Sequence, residues 1–195
     1  MNKIGLTVGM LILGAIGMFI IYNQTQNKKQ EQTIMISNPT TTSLPSATPV
    51  PSDTTQQANT AIIKTEKGDI TLSLYPNEAP NTVANFITKA KSGFYNNLTF
   101  HRVEDWVIQG GDPLGNGTGG GNMPTELNNK PFVVGSLGVA RGPDIKVSND
   151  AQFFITKTDA SWLNSQYTNF GIVTNAMDVV KKIEIGDKIL QITTE

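Results

Sequence analysis

Hydrophobic and polar residues divide this chain into three blocks, of which the first is the most apolar. Residues 4–22 are almost continuously apolar and carry no charge. A helix of about 19 residues, rising about 1.5 Å per residue, nearly matches a hydrocarbon core of about 30 Å. The pattern therefore predicts a single-pass transmembrane anchor in residues 1–22. A cleavable signal segment is the alternative, although its apolar region is usually only about 7–15 residues long.

The charges around this apolar block indicate how it would lie in a membrane. Lys3 and the N-terminal amine are close to the apolar residues, whereas Lys28 and Lys29 follow at some distance. Positive charge next to a membrane span favours the cytoplasmic side. We therefore expect the N-terminus inside and the bulk of the chain in an extracytoplasmic location. Cleavage of the segment would instead give a secreted protein.

The second block, residues 23–60, is rich in Gln, Asn, Thr, Ser and Pro and poor in large apolar side chains. A segment of this composition cannot bury enough apolar surface to offset the entropy lost on ordering. The sequence therefore predicts a low-complexity, disordered linker that gives reach to whatever follows it.

The third block, residues 61–195, alternates in the way a folded domain does. Two strand-like runs flank Lys67-Gly68 and predict a β-hairpin. Residues 80–92 and 175–183 have apolar side chains at helical spacing, and each predicts a helix. Many short strands with a helix near each end indicate a mainly β fold, a closed antiparallel barrel capped by two helices. Strands are also expected at 94–103, 152–156, 169–173 and 189–193, short strands or turns at 131–134 and 136–140, and a glycine-rich loop at 114–129.

The composition excludes several kinds of chemistry. The chain has 15 Lys and Arg against 16 Asp and Glu, so it has no basic excess for binding nucleic acid. It has no cysteine and one histidine, so a thiolate metal site, a disulfide and a His-rich zinc site are excluded. We expect no metal and no cofactor. The balanced charge and the lack of further motifs favour a monomer without a fixed partner.

One stretch, residues 100–113, combines an apolar strand-like run with polar side chains and ends in glycine. His101 and Arg102 would point to opposite faces of a strand. An Arg in apolar surroundings needs a partner, and Gln109 is the candidate. His101 is interpreted as a packed, hydrogen-bonded histidine. The alternative, a general base in a hydrolase, lacks an accompanying Gly-x-Ser-x-Gly motif.

Several motifs in this order resemble the cyclophilin-type peptidyl-prolyl cis-trans isomerases. The resemblance runs from about Ala61 to the C-terminus and implies an eight-stranded antiparallel barrel with a helix at each end. The implied activity is isomerisation of Xaa-Pro bonds in proline-containing peptides and unfolded proteins, which assists protein folding. A membrane-tethered module that binds proline peptides without catalysis, or acts as a chaperone, is the alternative. The motifs are Phe100-His101-Arg102, Gln109 to Pro113, Asn116 to Gly120, Gln152 to Ile155, and Trp162-Leu163.

The resemblance also implies a role for individual residues. Arg102 would be the catalytic arginine, and Gln109 would support it. The implied substrate-binding residues are Trp106, Val107, Phe154 and Leu163 in the proline pocket, Gln152 in the groove, Ala140 and Arg141 along the peptide backbone, Gly117 and Thr118 at a neighbouring subsite, Trp162 at the position associated with cyclosporin binding, and Tyr167 where many members have His.

Two departures from the family pattern fall in the same short segment. Arg102 and Gln109 are separated by one residue fewer than is usual in the family, and Glu104-Asp105 stands where Pro-Gly is familiar. The shorter segment bears directly on where Trp106 lies. We therefore expect the floor of the pocket to be reshaped here.

Overall fold

The structure is a computed structural model, and it describes residues 59–195. The predicted anchor in residues 1–22 and almost all of the predicted linker in residues 23–60 lie outside the described residues. Among residues 59–195, no helix has the length and apolar character needed to cross a membrane.

The described chain forms one antiparallel sheet and two α-helices. Between Asn59 and Glu195, nine strands and two α-helices, with one 3₁₀ turn, alternate along the chain. The mainly β architecture with two helices is therefore confirmed. The strands are β1 (Thr60–Thr65), β2 (Gly68–Leu74), β3 (Phe100–Val103), β4 (Val107–Gly110), β5 (Asn122–Pro124), β6 (Ser136–Arg141), β7 (Val147–Thr156), β8 (Asn169–Asn175) and β9 (Ile189–Thr194), and the helices are α1 (Pro80–Lys91), α2 (Met177–Lys182) and the 3₁₀ turn Ser161–Leu163.

Eight of the strands follow one another in a curled sheet. Their order is β3-β4-β7-β6-β8-β2-β1-β9, and the short β5 pairs with β7 beside this path. The expected closed barrel is not closed by a continuous ladder. Instead, four backbone hydrogen bonds join residues 97–100 to residues 186–189, together with an isolated bridge between Thr99 and Lys188. The two edge strands β3 and β9 are thus connected over only a few residues.

Helix α1 covers one side of the sheet with an apolar face. Pro80 occupies its first turn, where the missing N–H costs no hydrogen bond, and Lys89 and Lys91 lie in the last turn, where cations are favoured. Its buried face, with Phe86 at the centre, packs against β7 and β9. Phe86 contacts an aromatic group formed by Tyr95, Phe153 and Phe170.

Some predicted element boundaries differ from those in the structure. The strand expected from residue 94 begins only at Phe100, because residues 92–97 form turns in which Gly93 and Asn97 have positive φ. The loop expected at 114–129 contains β5, whereas residues 131–134, expected to be a strand or a turn, lead into a turn at Val134 and Gly135. Helix α2 covers only residues 177–182 of the expected 175–183, because β8 extends through Asn175.

A second, smaller core lies apart from the main one. It consists of Val107, Phe132, Phe154, Ala160 and Leu163, all of which are buried. Trp106 and Tyr167 are partly exposed and pack against it. Phe154 and Leu163 of this small core also line a surface cavity next to Arg102.

Candidate active site

The polar and apolar parts of the site are placed side by side by strand register. Arg102 on β3 pairs with Gln109 on β4, and Gln109 pairs with Phe154 on β7. Phe154 in turn pairs with Gly138 on β6. Residues directly opposite one another in neighbouring strands share a face of the sheet. Four residues on neighbouring strands therefore lie in one row: Arg102, Gln109, Phe154 and Gly138.

A chain of hydrogen bonds runs along the polar part of this face. Arg102 Nη1 donates to Gln109 Oε1 at 3.0 Å, and Gln109 Nε2 donates to Gln152 Oε1 at 2.9 Å. Gln152 is 3% exposed, and its Nε2 donates to the backbone oxygen of Gly119 at 2.7 Å. Each amide both donates and accepts, which fixes its orientation and, through it, the orientation of the guanidinium.

Beside Arg102 lies a cavity of about 400 Å³ with an apolar floor. Phe154 and Leu163 are buried in the floor, and Phe154 stacks on Phe132 below it at a centroid distance of 5.7 Å. Trp162 is 60% exposed at the rim and meets Trp106 edge-on. The residues that line the cavity are Arg102, Trp106, Gln109, Ala140, Arg141, Phe154, Trp162, Leu163, Gln166 and Tyr167.

A second cavity of about 450 Å³ adjoins the first and shares Gln109, Ala140 and Arg141 with it. Gln152 and Gly117 line this second cavity. Through these shared residues, the two cavities together form one groove. The part next to Arg102 combines an apolar floor with polar side chains on its walls, whereas most of the side chains that line the neighbouring part are polar.

The loop that borders the second cavity is held by a buried carboxylate. Asp112 is 1% exposed, and it accepts hydrogen bonds from the backbone N–H groups of Leu114, Asn116 and Gly117. Burial alone would raise the pKa of Asp112, but these backbone donors outweigh it and lower the pKa. Asp112 is therefore ionised at neutral pH and acts as the anchor of the loop.

Most of the residues that the sequence placed in the site do lie on this groove, but two do not line a cavity. Val107 shares the face of Gln109, yet it is fully buried, because Phe132, Ala160 and Leu163 enclose it. The expectation that Val107 lines the pocket is therefore corrected: it supports the floor from below. Thr118 is exposed and hydrogen-bonds to Asn116 within the loop. Only its neighbour Gly117 borders the second cavity.

Tyr167 and Arg141 form the wall opposite Arg102. The guanidinium carbon of Arg141 lies 4.4 Å from the centroid of the Tyr167 ring, and Arg141 Nε donates to the backbone oxygen of Gln166. The Tyr167 ring also meets Phe154 edge-on. These contacts hold the second arginine of the groove against the wall.

His101 is separate from this chemistry. Neither of its ring nitrogens, both buried, has a hydrogen-bond partner among the described residues. The prediction of a packed histidine holds, but the predicted hydrogen bond of its ring is absent among these residues. Burial lowers its pKa, so the ring is neutral at pH 7. Nothing positions it as a general base.

Sequence reasoning missed three contributors to the site. The sequence marked Glu104 only as a departure from the family pattern, but its carboxylate binds both Arg102 and Trp106. The signal was its spacing, since residues i and i+2 on a strand face the same way. Gln166 lines the cavity, and Gly138 lies directly under Phe154. Neither position has a local sequence signal.

No group of three or more His, Asp or Glu side chains within residues 59–195 is arranged to hold a metal ion. On the groove, the guanidinium of Arg102 is held beside a cavity with an apolar floor. A permanently charged donor of this kind can stabilise an electron pair that develops on a bound group.

Comparison with known proteins places this fold and groove in one family. The family model described as cyclophilin type peptidyl-prolyl cis-trans isomerase/CLD matches residues 60–193. A peptidyl-prolyl cis-trans isomerase of Synechococcus elongatus is 41% identical over 137 residues, which cover 68% of this chain and 93% of that protein. One of Helicobacter pylori is 44% identical over 137 residues, covering 66% of this chain and 83% of that protein.

Other relatives are much longer, and a solved structure has the same fold. Peptidyl-prolyl cis-trans isomerase 9 of Schizosaccharomyces pombe is 42% identical over 138 residues, which cover 65% of this chain but only 22% of that protein. A cyclophilin type isomerase of Cryptosporidium parvum, crystallised in the presence of the dipeptide Ala-Pro, superimposes with a TM-score of 0.65 at 26% identity. That match covers 70% of this chain and 98% of the solved chain. The chain therefore belongs to the cyclophilin-type peptidyl-prolyl cis-trans isomerases.

Proposed function

We propose that this protein catalyses cis-trans isomerisation of Xaa-Pro bonds in peptides and unfolded protein segments, with Arg102 as the catalytic residue and Gln109 as its support. The observation that carries the proposal is the fixed guanidinium at the edge of an apolar pocket. The Ala-Pro dipeptide present with the Cryptosporidium parvum relative is a minimal form of this substrate class.

The reaction needs a twisted peptide bond to be stabilised and no bond to be broken. Resonance gives the peptide C–N bond partial double-bond character, so rotation crosses a barrier of about 18–20 kcal/mol. The cis and trans isomers of an Xaa-Pro bond are close in free energy but exchange over tens of seconds or longer. In the twisted state resonance is lost, and the proline nitrogen regains a lone pair.

Arg102 can act on that lone pair because it is a donor that never loses its proton. A hydrogen bond to the proline nitrogen is available only in the twisted state, since the planar amide has no free lone pair there. The interaction therefore lowers the barrier to rotation without stabilising the bound ground state. The chain from Arg102 through Gln109 to Gln152 holds the donor in place before the substrate arrives.

The apolar pocket would hold the proline ring while the residue before proline rotates about the peptide bond. Phe154 and Leu163 offer a flat, buried floor, and Trp106 and Trp162 close one end. The residue before proline would extend towards the second cavity, bordered by Arg141, Gln152 and Gly117. The pocket itself stays rigid, because Phe154 rests on Phe132 and against Tyr167.

The isomerase proposal is tested on the full chain with a short Xaa-Pro peptide in an NMR exchange experiment. We expect catalysed exchange between the cis and trans signals, together with inhibition by saturating cyclosporin, for which Trp162 at the rim is the proposed contact. Peptide binding with no acceleration of exchange would favour the alternative, a binding module without catalysis. Resistance to cyclosporin alone would contradict only the Trp162 contact.

We further propose that residues 1–22 anchor the protein in a membrane and that residues 23–60 tether the isomerase domain on the extracytoplasmic side. The support is the uncharged apolar run at residues 4–22 and the polar linker that follows. We expect full-length protein, with an intact N-terminus, in the membrane fraction. Recovery of a shortened, soluble protein would contradict the anchor and indicate a cleaved signal segment.

A further inference from the structure

Glu104 follows β3 directly and connects two parts of the groove. Arg102 and Glu104 are two residues apart, and side chains at that spacing lie on the same face of a strand. The extended backbone continues to this position, because the N–H of Glu104 donates to the backbone oxygen of Val107 at 2.8 Å. The short turn then brings Trp106 beside both side chains.

Both carboxylate oxygens of Glu104 are occupied by residues of the groove. Oε1 accepts from Arg102 Nε at 2.8 Å, and Oε2 accepts from Trp106 Nε1 at 2.8 Å. The guanidinium carbon of Arg102 lies 5.4 Å from the centroid of the Trp106 ring. The three side chains therefore form a closed triangle in which each contacts the other two.

The guanidinium is consequently held at two of its three nitrogens. Glu104 binds Nε, and Gln109 binds Nη1 at 3.0 Å. Because the group is planar, two fixed nitrogens determine its plane and the direction of Nη2. No described residue accepts a hydrogen bond from Nη2. This nitrogen remains available to a bound peptide, and Glu104 sets the direction in which it points.

The solvent exposure of Arg102 and Glu104 indicates that their ion pair orients the guanidinium rather than stabilising the fold. The Arg102 and Glu104 side chains are 41% and 46% exposed, and ion pairs this exposed contribute little to the free energy of unfolding. Hydrogen bonds from Arg102 and, next, from Trp106 lower the pKa of Glu104, so the carboxylate is ionised at neutral pH. The direction of a catalytic donor, by contrast, strongly affects the rate of a reaction.

We propose that Glu104 is a positioning residue of the isomerase: its carboxylate holds the guanidinium of Arg102 and the indole of Trp106 in the arrangement that the twisted peptide requires. The proposal rests on the isomerase function proposed above. It assigns a role to the segment where this chain departs most from the pattern of its family, and it explains how a shortened turn still presents Arg102 to the pocket.

The test separates the rate on the enzyme from peptide binding. In the full chain, Glu104→Ala removes both acceptors, whereas Glu104→Gln keeps one carbonyl oxygen. NMR exchange over a range of Xaa-Pro peptide concentrations gives kcat and the peptide Kd. We expect Glu104→Ala to lower kcat on the order of tenfold, with Glu104→Gln intermediate. The peptide Kd should stay within about twofold of wild type, because the variant keeps Phe154 and Leu163, the buried floor of the pocket.

Asp105→Ala is the matched control. It removes a negative charge from the same turn, but the Asp105 side chain makes no hydrogen bond or ion pair with other residues in the described range. Wild-type kcat is expected for it. In a Trp162→Phe background, the emission of Trp106 should change in Glu104→Ala and not in Asp105→Ala, because only the former loses the indole hydrogen bond.

Three results would overturn the proposal. An unchanged or higher kcat in Glu104→Ala, with the wild type active, would show that the carboxylate does not position Arg102. An equal loss in Asp105→Ala would assign the effect to charge rather than to orientation. A wild-type protein without isomerase activity would contradict the proposed function, and the role of Glu104 with it.

Discussion

Arg102→Ala is expected to lower kcat/KM for an Xaa-Pro peptide about 100-fold, which corresponds to about 3 kcal/mol of transition-state stabilisation. Arg102 supplies the permanently charged donor beside the pocket, and among the described residues Gln109 and Glu104 serve to hold it rather than to replace it. The loss should fall on kcat rather than on peptide affinity. The measurement is NMR exchange at substrate concentrations above and below the peptide Kd.

The fold should survive this substitution. The Arg102 side chain is 41% exposed, so its removal leaves no buried charge behind, and the unfolding midpoint should stay close to that of the wild type. Arg102→Lys is the matched control. It keeps the positive charge but loses the planar fork that contacts Gln109 and Glu104 together, and it should recover only part of the activity. Undiminished turnover in Arg102→Ala would remove Arg102 from the mechanism.

The pairing of Arg102 with Gln109 could be predicted from the sequence because it depends on short-range geometry. The two residues flank one tight hairpin, and β3 and β4 are consecutive strands in the sheet. The mainly β fold with two helices was also predictable, since apolar periodicity and glycine-rich turns indicate it locally. The resemblance to the isomerase family predicted the eight strands that follow one another in the sheet, but not the short β5.

The contribution of Glu104 was missed for a different reason. A carboxylate in a short exposed turn is usually solvated, and only the positions of the neighbouring side chains show that both of its oxygens are occupied. The predicted position of Val107 was wrong because Phe132, Ala160 and Leu163, which are distant in sequence, pack around it. Because Val107 and Gln109 are two residues apart on a strand, the sequence correctly predicted that they share a face of the sheet. Tertiary packing decides which residues cover that face.

The least predictable feature of the site is Gly138, which has no neighbouring motif. It pairs with Phe154 across β6 and β7, and a register shift between Val139 and Arg141 lies next to it. Periodicity does not fix the register of two strands whose pairing contains a bulge. The close approach of this glycine to the pocket floor is therefore visible only in the assembled sheet.

Gly138→Ala is expected to lower isomerase activity on the order of tenfold and to destabilise the protein by about 1–3 kcal/mol. A Cβ at this position would collide with Phe154 Cζ and would lie 2.6 and 2.7 Å from Cε2 and Cε1. Phe154 is stacked on Phe132 and meets Tyr167 edge-on, so its ring has little room within the small core. The added methyl therefore displaces the ring towards the cavity that would hold proline.

Two further variants identify the cause of this loss. Gly142→Ala adds a methyl to the same part of the chain where nothing lies within 4 Å, and it should leave the unfolding midpoint unchanged. Phe154→Leu removes the ring that the methyl would strike, so Gly138→Ala should cost much less stability in that background. Denaturant unfolding and NMR exchange measure both effects. Wild-type stability and activity in Gly138→Ala would mean that Phe154 accommodates the added methyl with no loss of unfolding free energy. Gly138 would then not determine the shape of the site.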